Sequence, residues 1–226
     1  MIRVGTSAEK NDRGSTARFR TKLRRLSRKP AAMTQPKTDD RRILRTRRTL
    51  TAALLSLLSE RGWDELSVQD ICDRADIGRS TFYAHFQNKE ELLASGFNHL
   101  REALQQKSTS DGSEPLVRFR FVGGLLDHLY ENRSVFRAIV GRRSGHVVQT
   151  RFRELVLQLV TSDLEKVGSS KWRRDATAHF LAGALFELLA WAVDSDSARS
   201  ARDVEALFQR YAESCSAYCA SGVRRT

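Results

Sequence analysis

The chain has 226 residues, enough for one large domain or a small domain joined to a larger one, and 40% of them are hydrophobic and 29% charged. This composition excludes collagen-like and wholly disordered chains, and three cysteines (Cys72, Cys215, Cys219) give neither a disulfide framework nor metal-ligand spacing. The longest apolar run, Phe180 to Val193, is interrupted by Glu187 and falls short of the ~18 residues of a spanning helix. The basic start has no hydrophobic stretch of the secretory kind, so the reading is a soluble, cytoplasmic protein with no membrane partner.

The net charge of +12 is unevenly spread: residues 1–40 hold 11 Lys and Arg against 4 Asp and Glu, whereas residues 41–100 hold 9 against 8. Residues 1–38 therefore read as a disordered basic arm, with Arg18, Arg20, Lys22, Arg24, Arg25, Arg28 and Lys29 close together. Such an arm either touches nucleic acid or an anionic membrane, or is a solvated tail. Met33 opens a polar lead, MTQPKTDDRRILRTRR, so a start of translation at Met33 that leaves residues 1–32 untranslated is a second reading of the same segment.

Ordered structure is expected from residue 39. From Asp39 to Arg61, Ile43, Arg47, Leu50, Leu54, Leu57 and Leu58 recur at three- and four-residue spacing, the stripe of a first helix that Gly62 stops. Ser67 followed by Asp70 reads as the cap of a short second helix burying Val68, Ile71, Cys72 and Ala75. Ala75 to Gly78 leaves room only for a tight turn, in which Asp76 tolerates a left-handed backbone. A third helix over Arg79–Phe86 turns Phe82 and Phe86 inward, and two short helices across such a turn form a helix-turn-helix. Arg79, Ser80, Thr81, Tyr83 and His85 then lie on the outer face or amino end of that third helix. All can hydrogen bond and none is acidic, which suits a DNA groove. Asn88, with Glu91 three residues on, caps a fourth helix whose free N–H groups and Lys89 make a phosphate site.

The run LTAALLSLLSERGWDELSVQDICDRADIGRSTFYAHFQNKEELL, Leu50 to Leu92, resembles the DNA-binding domain of TetR-family transcriptional regulators. The most specific part is Thr81-Phe82-Tyr83-Ala84-His85-Phe86 followed by Asn88-Lys89-Glu90-Glu91-Leu92. The resemblance implies that Tyr83, His85 and Lys89 contact phosphates, that Ser67 contacts the DNA backbone, and that Arg79, Ser80 and Thr81 approach base edges. Arg48 and Gly78 complete the expected DNA face. Asp76 and Gly78 depart from the family's usual Gly and Ser: a hydroxyl contact is lost at 78, and a negative charge is added at 76.

Beyond Leu100 the pattern is helical with no strand alternation. The fourth helix is expected to run to about Lys107 and to end in the loop Ser108–Ser113. Further helices are expected over Leu116–Tyr130, Asn132–Val140, His146–Val167 and Trp172–Val193, with a last one opened by Ser200 and Asp203. The fold class is all-α with about nine helices: an N-terminal three-helix helix-turn-helix domain and a C-terminal helical domain for ligand binding and dimerisation. The domain boundaries are 1–38, 39–87 and 88–226.

The segment from Trp172 to Val193 is apolar nearly all round and must be covered on two sides. By the TetR resemblance the last two helices dimerise, which assigns Phe180, Leu181, Leu185, Leu188, Leu189, Leu207, Phe208 and Tyr211 to a homodimer interface. Phe119, Phe136, Phe152 and Trp191 supply more aromatic volume than packing needs, Gly123 leaves space, and His128 and His179 can orient a ligand. They are candidates for the pocket of a small, mostly hydrophobic effector, with satisfied core histidines as the plainer reading of His128 and His179. No nucleophile elbow, phosphate loop or metal-binding histidine pair occurs, so neither enzymatic activity, a metal nor a cofactor is expected. The expected function is a homodimeric repressor that binds an inverted-repeat operator in double-stranded DNA and is released by its effector. The alternatives are a same-fold activator or protein-controlled regulator, and a less specific architectural binder using the basic arm.

Overall fold

A computed structural model of the full chain describes residues 38–106, 118–141, 145–165, 167–194 and 199–220. Among these residues all regular structure is helical. The helices are α1 (Thr38–Glu60), α2 (Val68–Ala75), α3 (Arg79–Tyr83), α4 (Lys89–Gln106), α5 (Phe121–Glu131), α6 (Arg133–Val140), α7 (Gly145–Leu164), α8 (Lys171–Asp194) and α9 (Ala201–Ala220), with a 3₁₀ turn at Trp63–Glu65. The basic arm, the alternative start at Met33, the loop Ser108–Ser113 and Leu116 lie outside the described residues.

The starts and stops follow local chemistry. Ser67 Oγ accepts the Asp70 amide at 3.2 Å while Asp70 Oδ2 accepts the Ser67 amide at 2.9 Å, a reciprocal cap on α2. Asp76 closes α2 at φ 54°, the one described non-glycine residue with positive φ. Asn88 Oδ1 accepts the Glu91 amide at 2.8 Å, and Glu91 reaches back to the Gln87 amide at 2.6 Å, so the expected capping pair forms with the carboxylate one residue further back. The third helix is shorter than expected. It ends at Tyr83, and the backbone tightens through Ala84 and His85, whose amides bond to the carbonyls of Ser80 and Phe82 at 3.0 and 2.9 Å. That tightening brings Phe86 into the core beside Phe82.

The N-terminal helices pack around Leu50, Leu54, Leu57, Ile71, Phe82 and Leu92, all buried. Arg74 adds a bidentate grip on Glu60 at 2.7 and 2.6 Å and a bond to Ser56 at 2.6 Å, tying α2 to α1. α4 then leads into the bundle, packing on both α1 and α7, and α6 also packs on α1. In the bundle α7 and α8 lie side by side, with α9 against α5 and α8. Two polar devices join distant segments of the bundle. Gln209 donates to Phe119 O at 2.8 Å and accepts from Phe119 N at 3.2 Å, pinning the lead into α5 to α9. Arg133 and Arg137 bond to the terminal carbonyls of α8, Ala192 and Val193, at 3.0 to 3.2 Å, where helix carbonyls lack intrahelical donors.

Candidate nucleic-acid interface and assembly face

With Phe82 fully buried and Phe86 2% exposed, α3 has no freedom to turn its outer face inward. Arg79, Ser80, Thr81 and Tyr83 are therefore exposed together, along α3 from its first residue to its last. The Arg79 guanidinium lies 5.9 Å from the Tyr83 ring, and a hydrogen bond with Tyr83 pushes its pKa further up, so it stays cationic. Gly78 caps α3 in an extended conformation, φ −64°, without a side-chain bond. His85 is half-buried with its ring 6.5 Å from that of Phe86. Arg48 is exposed on α1.

Two of the expected phosphate or backbone contacts are engaged within the protein. The Ser67 hydroxyl is part of the α2 cap and also donates to Asp70. These bonds, the side-chain one foremost, pull the Asp70 carboxyl from its ordinary 3.8 to about 2. Lys89 Nζ donates to the carbonyls of Trp63 at 2.9 Å and Leu66 at 2.8 Å, and sits 4.6 Å from the Trp63 ring centroid. The residues that hold the face from behind have weaker sequence signals. Arg47, read as part of the apolar stripe of α1, places its guanidinium 4.8 Å from the Phe86 ring, and Trp63 is 2% exposed.

The bundle corrects two sets of expectations. Leu181, Leu185, Leu189 and Phe208 point into the chain's own core, while Phe180 (64% exposed), Leu207 and Tyr211 lie outside and Leu188 is half-buried. An all-round apolar helix carries two candidate faces, and periodicity alone does not say which one its own chain covers. The uncovered face holds Trp172, Ala176, Phe180, Ala184, Glu187 and Trp191 on α8, with Leu207, Tyr211 and Tyr218 on α9. The steps of four, four, four, three and four along α8 mark this stripe in the sequence once it is separated from the core stripe.

The aromatic residues expected around an effector are instead packed on one another. Phe152 lies 5.7 to 6.0 Å from the rings of Phe97, Phe136 and Phe186, and Phe119 lies 5.9 Å from Phe208. His128 is buried, edge-on to Phe136, with its carbonyl accepting from Asn132 at 2.8 Å. The space expected beside Gly123 is taken by the Glu205 carboxylate: a Cβ there would stand 2.7 Å from Glu205 Oε2. His179 and Trp191 are on the surface, because their positions on α8 fall outside its inward stripe.

Residues 50–95 match the family model described as bacterial regulatory proteins, tetR family. An uncharacterized HTH-type transcriptional regulator of Bacillus subtilis is 42% identical over 65 residues, which cover 28% of this chain and 17% of that protein. The dhaKLM operon transcriptional activator DhaS of Lactococcus lactis is 30% identical over 130 residues, covering 56% of this chain and 66% of its own length. A TetR transcriptional regulator of Streptococcus agalactiae superposes with a TM-score of 0.58 at 24% identity, covering 77% of this chain and 97% of that one. The chain belongs to the TetR family of transcriptional regulators.

Proposed function

We propose that the chain is a homodimeric regulator of transcription that reads an inverted repeat in double-stranded DNA with Arg79, Ser80 and Thr81. The observation that carries the reading is the outer face of α3: four hydrogen-bonding side chains, one of them a held cation and none acidic, on a helix locked by Phe82 and Phe86. Tyr83, His85 and Arg48 flank that face and supply phosphate contacts. Assembly through the exposed aromatic stripe of α8 and α9 sets two recognition helices one DNA turn apart, the geometry that makes operator symmetry mirror protein symmetry. A small hydrophobic effector releases such a dimer by favouring a different helix separation. Since Phe136 and Phe152 are packed on each other and Phe119 on Phe208, an effector enters only by parting such pairs. That packing favours a second reading, control by a protein partner, and the Lactococcus lactis relative is an activator.

Selection of duplexes from random DNA with the full chain, followed by footprinting, tests the proposal. One short protected palindrome is expected; protection without sequence preference points to an architectural binder and overturns it. Arg79→Ala should cost about 1–3 kcal/mol at one base-pair position if Arg79 bonds a guanine edge, and equal loss over all sequences removes Arg79 from base reading.

A further inference from the structure

The 3₁₀ turn at Trp63–Glu65 is held from two sides. On one side is Lys89, the first residue of α4 and only six residues beyond the end of the recognition helix. Its ammonium spends two of its three N–H bonds on the Trp63 and Leu66 carbonyls and lies 4.6 Å from the indole centroid. On the other side is Gly145, which opens α7 at φ +76°. A Cβ at Gly145 would stand 3.3 Å from Trp63 Cβ, 3.5 Å from Asp64 Oδ2 and 3.6 Å from Trp63 Cδ1. The first turn of a core helix of the bundle therefore rests against the side chain of Trp63, the residue whose backbone carbonyl holds Lys89. An ammonium with two carbonyl partners and an aromatic face beside it is already solvated by the protein, and a phosphate would have to displace those bonds.

We infer that Lys89 acts here as a positioning residue, linking the first turn of α7 through Trp63 to the recognition helix, so that a rearrangement of the bundle reaches the DNA face along Gly145, Trp63 and Lys89. The inference rests on the DNA-binding reading above and deepens it by naming the route of regulation. It separates this lysine from an ordinary phosphate contact, whose loss would weaken all DNA alike by removing one released counterion. A lysine that only positions α3 and α4 weakens binding while leaving the number of phosphate contacts unchanged.

The test uses the full chain carrying 5-fluorotryptophan, its three fluorine resonances assigned by single Trp→Phe changes, and the duplex recovered by the selection described above. Lys89→Met keeps the apolar stem against the indole and removes the donors. It should move the Trp63 resonance and weaken binding by about tenfold, the scale of one or two charge-assisted hydrogen bonds, with the slope of log affinity against log salt unchanged. Gly145→Ala, strained by its positive φ and crowding Trp63, should move the same resonance and weaken the same duplex. The double variant should be no weaker than Lys89→Met alone, since both act on one link. A salt slope reduced by about one in Lys89→Met overturns the inference, as does an unmoved Trp63 resonance in Gly145→Ala or additive losses in the double variant. The fluorine measurements need no DNA. A chain that selects no duplex refutes the DNA-binding reading, whereas an unmoved resonance refutes the link.

Discussion

The two ends of the molecule are built from the same helical material but use their exposed surface in opposite ways. On α3 the exposed residues are polar or cationic, small in number, and fixed by two phenylalanines beneath them. On α8 and α9 they are large aromatics, Trp172, Phe180, Trp191, Tyr211 and Tyr218, on helices whose opposite sides fill the core. A polar face at a helix end suits a partner recognised by hydrogen bonds and charge, whereas a broad aromatic stripe gains little until another apolar surface removes it from water. The first suits the DNA contact proposed above, and the second the proposed assembly with a copy of the same chain.

A sharp way to break this contrast is to put one charge on each side of α8. Leu189→Asp places a carboxylate at a position with 0% exposure and should cost about 3–5 kcal/mol, abolishing cooperative thermal unfolding. Phe180→Asp falls on the exposed stripe and should leave a folded protomer that sediments as a monomer and binds the duplex much more weakly. A Phe180→Asp chain that stays dimeric moves the assembly face elsewhere.

Next in size is Gln209→Leu. It strips both partners from the buried Phe119 amide and carbonyl, and should cost about 2–4 kcal/mol, at about 1–2 for each of the two buried groups left without a bond. The loss should appear as a lower Tm with DNA contacts unchanged in footprint, since the bond lies in the bundle.

Smaller effects belong to the N-terminal region, where caps set the helix starts. Ser67→Ala should lower stability by about 1 kcal/mol, the usual loss for a cap, and let the Asp70 carboxyl titrate nearer its ordinary value. Since the folded-state pKa of Asp70 lies below the unfolded value, at about 2 against 3.8, its contribution is full above about pH 4 and is lost as pH falls through 2. Asp203, lowered by the same kind of bond to Ser200, follows the same direction. Carboxyl NMR of Asp70 across that range checks the sign; a midpoint near 3.8 in the parent chain removes the cap from the argument.

Least of all is Gly78→Ser. A Cβ there meets only Ser80 Oγ at 3.9 Å, and the backbone is extended rather than left-handed, so serine fits. It should gain a few tenths of a kcal/mol as a cap and, by supplying a hydroxyl beside the groove, tighten DNA binding slightly. A drop in Tm would show that glycine at 78 is required for the turn.

The helix-turn-helix was legible in the sequence almost residue by residue, because its information is local. Ser67 and Asp70 sit at capping distance, Asp76 occupies the one tight turn, and Phe82 and Phe86 are four apart on a face that must be buried. The side chains left over, Arg79, Ser80, Thr81 and Tyr83, follow by subtraction. The order of the helices among the described residues of the rest of the chain was legible for the same reason, from three- and four-residue apolar spacing between breakers, although α5 begins at Phe121, later than that spacing suggested.

What local pattern did not decide was which side of an apolar helix its own chain would cover. α8 offers Leu181, Leu185 and Leu189 on one stripe and Phe180 and Trp191 on another, and only the packing of α7 and α9 assigns the first to the core and leaves the second outside. The same holds for spaces and charges brought together from far apart: Glu205 fills the gap at Gly123, Gln209 finds the backbone of Phe119 90 residues away, and Lys89 reaches back to Trp63 and Leu66. Periodicity and capping act within a few residues and are written in the sequence. The partner of a face, a gap or a cation is set by distant segments meeting, and tertiary structure alone decides it.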